Sequence, residues 1–168
     1  MHTRSVARVA VLAAVVALLA GCSSAASGGN GSPGTPLQLR LVTSSAEGPC
    51  SATTLTSGGP ASACDRAGTT TYQLGKSLGV ITPISVVLPK GQGSAQTVIL
   101  EFDKADTDTL GDVSREALEK HLAILLDDRV LSAPLVKNPI TTSQLTLAFG
   151  TAAEAQQVAA ELGASATS

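Results

Sequence analysis

The chain has 168 residues, 11 basic against 13 acidic, and a formal net charge of −2. So mild a charge, with no basic stripe, argues against nucleic acid as a ligand. Its aromatics are Tyr72, Phe102 and Phe149, with no tryptophan, so base- or sugar-stacking platforms are excluded and the core falls to Leu, Val, Ile and Ala.

Arg4 and Arg8 precede an apolar run from Val9 to Leu19, too short to cross a bilayer core, which needs about 20 apolar residues. Small residues then lead into a cysteine. Leu19-Ala20-Gly21-Cys22 resembles the lipobox of bacterial lipoprotein precursors. That resemblance implies a signal peptide over residues 1–21, cleavage between Gly21 and Cys22, and acylation of Cys22. It implies an anchor in the cell membrane, on its extracytoplasmic face, with the lipid membrane as first partner. The alternative is an ordinary secretory signal with a chance cysteine. Cleavage leaves 147 residues carrying 9 basic and 13 acidic side chains.

Residues 22–36 are small, polar and uncharged, which reads as a flexible tether from the lipid to a domain over 37–163. Residues 164–168 read as a disordered tail. Leu37 to Val42 alternates apolar and polar side chains, as a strand does. Ser44 to Ala67 is turn-rich and is expected to be a long loop. With Cys22 taken by lipid, Cys50 and Cys64 remain as an even pair. An oxidising compartment favours a disulfide there, stabilising by roughly 3 kcal/mol, over two unpaired thiols or part of a metal site. Zinc needs about four ligands, and His121 is the sole histidine after cleavage.

Thr69 to Leu74 reads as a second strand. Val80 to Leu88, broken by Pro83, reads as an irregular turn followed by an edge strand. Gly91-Gln92-Gly93 is a loop, and Gln96 to Phe102 a strand. Asp106 to Glu119 is expected to be helical, with acidic residues early and Arg115 and Lys120 late. The run Leu122 to Leu126, followed by Asp127-Asp128, fits either a helix end or a buried strand. Gln144 to Phe149 alternates as a strand, and Ala155, Val158, Ala159 and Leu162 recur at helical spacing behind Gly150 and Thr151.

Catalytic constellations are absent. There is no G-x-S-x-G, H-E-x-x-H or Walker A motif, and a triad would have to be built on His121, which reads better as a surface residue. Asp106 to Asp112 looks like a calcium loop, but Leu110 and Ala117 stand where oxygen ligands are needed, so a solvated helix start is the better account. Asp127-Asp128 reads as a turn rather than a general-base pair. The expectation is no catalytic residue, no metal and no cofactor.

Leu122-Ala123-Ile124-Leu125-Leu126-Asp127-Asp128-Arg129-Val130-Leu131-Ser132-Ala133-Pro134 resembles the L-A-I-V-L-D-G-K-V-L-S-A-P signature of the SecD/SecDF head subdomain. Pro139-Ile140 with Gln144 to Gly150, and Thr151 to Ala159, are similar to that family's closing strand and helix. Cys64-Asp65-Arg66-Ala67-Gly68 and Tyr72 to Gly75 are similar to its C-D-x-x-G and Y-L-L-G segments, and Leu39 to Val42 to the strand leading into the head. The likeness covers about residues 37–162. It implies an α+β fold, an antiparallel sheet with helices on one face, and makes Leu122 to Leu126 a strand, Asp127 to Arg129 a turn and Val130-Leu131 a return strand. Asp128 replaces the usual turn glycine, which aspartate's tolerance of left-handed backbone permits. Ser143 stands where glycine is usual.

The resemblance also implies a non-enzymatic module that binds secreted polypeptides or translocon subunits, for which a sheet edge near Val86 to Leu88 is a physical route. The alternative is an envelope lipoprotein that puts the same fold to use on an unrelated partner or small ligand.

Overall fold

The computed structural model describes residues 34–51, 54–55, 58–89 and 96–163. The expected signal peptide, Gly21, Cys22, the tether up to residue 33, the Gly91-Gln92-Gly93 loop and the 164–168 tail lie outside these residues. Ten elements follow in order: β1 (Leu37–Glu47), β2 (Ala61–Cys64), β3 (Thr70–Ile81), β4 (Ser85–Val87), β5 (Thr97–Glu101), α1 (Lys104–Glu116), β6 (Leu122–Leu126), β7 (Arg129–Ser132), β8 (Gln144–Ala148) and α2 (Ala152–Glu161). The class is α+β as expected, but the strands form two antiparallel sheets rather than one. The large sheet has the order β2-β3-β1-β6-β7 and the small sheet the order β4-β5-β8.

The main core lies between one face of the large sheet, both helices and the inner face of the small sheet. Leu37 and Leu39 of β1, Ile81 of β3 and Leu122, Ile124 and Leu126 of β6 meet Leu110 and Val113 of α1 and Ala155, Val158 and Ala159 of α2. Val98 and Leu100 of β5 and Leu147 of β8 complete it. The other face of β6 is buried too. Ala123 and Leu125 join Ala63, Leu74 and Val130 in a second cluster. A strand buried on both faces is apolar at every position, which is why periodicity alone left Leu122 to Leu126 ambiguous.

The expected loop over Ser44 to Ala67 is corrected. β1 continues to Glu47, and β2 pairs with β3 from Ala61↔Leu74 to Cys64↔Thr71. Register shifts between Leu39 and Ser44 break the alternation of β1 against β3, so the pattern that marks a strand fades where the strand goes on. β3 likewise runs seven residues past Leu74. Gly79 sits where α1 crosses it, and a Cβ there would come 2.9 Å from Thr109 Cγ2.

Helix α1 starts earlier than expected because Asp103 is the N-cap, its carboxylate accepting the Asp106 N–H at 2.9 Å. Thr151 caps α2 in the same way. The turn between β6 and β7 is built on Asp127 and Asp128 with φ of 47° and 63°, the pair of left-handed residues a two-residue hairpin requires.

Candidate functional site

The two edges of the large sheet come together at one point. Asp65, just past β2, bridges Val130 of β7, and the Arg129 guanidinium donates to the Asp65 carbonyl at 3.3 Å. The two outermost strands thus meet, and the sheet curls around the second cluster. The Cys50–Cys64 disulfide closes the segment that covers this curl, with Cα atoms 5.8 Å apart. Beside it lies a cleft of about 120 Å³ lined by Pro49, Ser62 and Thr71, well below the 300 Å³ or more of a small-molecule site.

Arg40 holds the same segment from below. It is fully buried, donating through Nη1 to Gly59 O at 2.6 Å and Gly75 O at 3.1 Å, and through Nε to Gln38 Oε1 at 2.7 Å. Burial lowers its pKa, opposed by the charge of Asp128. The Asp128 carboxylate also accepts the Leu55 N–H at 3.1 Å. Sequence reasoning missed Arg40, because a charged residue inside an alternating strand reads as a solvent-facing one.

The motif residues have structural work here. In the C-D-x-x-G segment, Asp65 accepts from Thr69 N, Thr69 Oγ1 and Thr70 N, and Gly68 supplies φ of +70°. Burial pushes the Asp65 carboxyl up, and these hydrogen bonds together outweigh it, so its pKa falls below the ordinary value. Arg66 makes a bidentate pair with Glu161 at 2.6 and 2.9 Å. That hydrogen bonding raises the Arg66 pKa and lowers that of Glu161. In Ser132-Ala133-Pro134, the Pro134 carbonyl accepts the Leu122 N–H and Ala133 O lies 2.8 Å from His121 Nδ1. His121 is exposed. The extra residue Leu131 forms a bulge, since Ile124 pairs with Ser132 but Leu125 with Val130.

The acidic run on α1 is engaged residue by residue. Asp103 caps the helix, Asp106 accepts the Thr82 N–H, Asp108 pairs with Lys104 and Asp112 with Arg115. Among the described residues no three His, Cys, Asp or Glu side chains converge on a metal site.

Among the described residues, what is left open is the small sheet. β4 and β8 are its two edges, and they differ. β4, which falls within the region expected to form an edge strand, is only three residues long and lies between Pro83 and Pro89. β8 is five residues, Gln144-Leu145-Thr146-Leu147-Ala148, without proline or charge. Its phase follows from Phe102 N–H to Ser143 O and Phe149 N–H to Gln96 O. In the antiparallel ladder, Leu145 and Leu147 therefore exchange bonds with β5, while the N–H and C=O groups of Thr146 and Ala148 point away from the sheet. Leu147 is buried and Thr146 exposed. Sequence alternation identified β8 as a strand; only the strand order shows that it is an edge.

The family model described as SecDF, P1 head subdomain, matches residues 70–167, more than half of the chain. Among solved structures, the chain is similar to a membrane component SecDF that enhances protein export, with a TM-score of 0.52 and 19% identity over 80% of this chain and 65% of that one. It is also similar to SecDF in a super-membrane-facing form, with a TM-score of 0.51 and 20% identity over 79% of this chain and 19% of that one. The chain thus spans less than two thirds of the first and about a fifth of the second. No curated protein gives a match. The chain belongs to the SecDF P1 head subdomain family.

Proposed function

We propose that this SecDF P1 head domain is a non-enzymatic accessory of protein export, held on the extracytoplasmic face of the membrane through acylated Cys22, where it binds extended polypeptide. The observation that carries this reading is the open β8 edge. An incoming chain in extended conformation would form main-chain hydrogen bonds with Thr146 and Ala148 and become a fourth strand of the small sheet. Such bonds are indifferent to side-chain identity, which suits a module that meets many different sequences. The solved relative is a membrane component that enhances protein export, and its theme supports the choice of ligand class. No described helix is long and apolar enough to cross a membrane. A module of this kind acts by holding its ligand, since acyl chains anchor without transmitting conformational work.

The test is photo-crosslinking in intact cells, with a photoreactive residue at Thr146 and a control at Lys137. Secretory precursors or translocon subunits captured from Thr146 but not from Lys137 are the expected result. A single envelope protein unrelated to export, captured in their place, would point to the alternative of a structural lipoprotein.

A further inference from the structure

The β8 edge is complementary to itself. By the phase of its ladder with β5, its outward-pointing residues are Gln144, Thr146 and Ala148, spaced evenly about Thr146, and all three are exposed. A second β8 strand laid antiparallel, with a two-fold axis beside Thr146, meets every one of these groups. Thr146 exchanges both main-chain bonds with Thr146 of the second copy, and Gln144 does the same with Ala148. Thr142 Oγ1 already donates to the Gln144 carbonyl at 3.0 Å, which leaves that oxygen a second lone pair.

The registers inside the sheet carry the match onto both faces. Val87 pairs with Ile99, and Ile99 with Thr146. Their strand neighbours Val86, Val98, Leu100 and Leu147 belong to the core side, so these three share the outer face. Joined at Thr146, the two copies align them into one row of six β-branched side chains, a favourable cross-strand arrangement. On the inner face Leu145, half-buried in one copy, comes opposite Leu147 of the other. Charge does not oppose the contact. Asn138 to Ala153 carries none, and Glu101 is the single charged residue of β4, β5 and β8. Because Glu101 pairs with Gln144, the two copies of it fall in different rows, about 20 Å apart. That is well beyond the screening length of about 8 Å at physiological salt.

We propose that a second copy of this chain occupies the β8 edge, the two joining about Thr146 into one six-stranded sheet. Its β8 is already extended, so no chain has to be ordered on binding. The contact uses a five-residue strand from each copy, against about 20 to 30 residues a side in a standard interface. The pair is therefore weak, forms where the chain is concentrated, and separates on dilution to leave the edge free. Formation of the pair rests on strand order and phase alone. Its consequence rests on the polypeptide reading: the second copy takes the same N–H and C=O groups, so the pair is the closed form of that site and incoming polypeptide displaces it.

Cysteine linking tests the register. Thr146→Cys, Gln144→Cys and Ala148→Cys are each expressed in the full chain, and intact cells are treated with diamide, a membrane-permeant thiol oxidant. All three positions are exposed, so the substitutions leave the core untouched. Opposed Cα atoms of a hydrogen-bonded pair lie about 5.5 Å apart, within disulfide range, whereas position 144 lies about 14 Å from its own counterpart. The expected results are a 146-to-146 linked dimer from Thr146→Cys, and a 144-to-148 linked dimer when Gln144→Cys and Ala148→Cys chains are coexpressed. Neither of those two variants should link alone, and the wild type shows what Cys22, Cys50 and Cys64 contribute. No link at 146, or equal links from all three single variants, overturns the proposal. Overproducing a secretory precursor in the same cells should deplete the 146-to-146 dimer. A dimer that persists keeps the pair but overturns its role as the closed form. Precursor captured at Thr146 with no 146-to-146 link overturns the pair and leaves the polypeptide reading standing.

Discussion

The two sheets of this domain are built to opposite ends. The large sheet brings its outer strands together through Asp65 and Val130, fills the curl with Leu74, Leu125 and Val130, and is covered by a segment fixed by a disulfide and by Arg40. Among the described residues, the small sheet buries one face and leaves both edges unpaired. A sheet edge with free N–H and C=O groups is a liability that proteins usually cover or guard. Here β4 lies between prolines, while β8 has neither proline nor charge and no described strand beyond it. The closures lie in one sheet and the open main-chain groups in the other.

That division can be broken by substitution, beginning where the loss should be greatest. Arg40→Ala strands the carbonyls of Gly59 and Gly75 and leaves a cavity, and should cost about 4 kcal/mol in denaturant unfolding. A loss under about 1 kcal/mol would mean that Arg40 does not hold the covering segment. Removing the disulfide by Cys50→Ser with Cys64→Ser opens a loop with a separation of 14 residues, and should lower stability by about 3 kcal/mol. Adding reductant to the wild type should reproduce that loss, without abolishing capture of polypeptide at β8.

Thr146→Pro reverses the emphasis. It removes an outward N–H that no strand uses, so stability should change by less than about 1 kcal/mol. Capture of polypeptide should fall sharply, and a large stability loss would show that β8 is not a true edge. The smallest effect belongs to Arg66 and Glu161, whose side chains are 17 and 34% exposed, so solvent screening holds the pair to under about 1 kcal/mol. Because hydrogen bonding to Arg66 depresses the Glu161 pKa, its contribution is complete above the ordinary value of 4.5 and fades as pH falls through the depressed one. The stability difference between wild type and Glu161→Gln should therefore shrink on acidification. A difference that stays constant with pH would remove the pair from the account.

Much of this architecture was legible in the chain. The strand at Gln144 to Ala148 and the helix behind Thr151 follow from alternation and capping. The turn at Asp127-Asp128 was legible from the residues themselves, but that Leu122 to Leu126 is a strand became readable only through the family signature, because β6 is buried on both faces and carries no period of its own. What stayed hidden has physical reasons. β1 past Val42 and β3 past Leu74 pass through register shifts and glycines, and the exposed run Thr43 to Glu47 has no buried face to advertise. Arg40 gave no sign of burial because its partners are carbonyls brought close only by folding. An open edge is a property of strand order, which no local pattern encodes.

If an extended chain adds to β8 by main-chain hydrogen bonds, amide hydrogen exchange reports it at the atoms concerned. With an unfolded secretory polypeptide added to the domain, the Thr146 and Ala148 amides should gain protection while Val86 on the β4 edge stays as it was. Unchanged exchange at Thr146 and Ala148 with polypeptide bound, or protection appearing at Val86 instead, would contradict it.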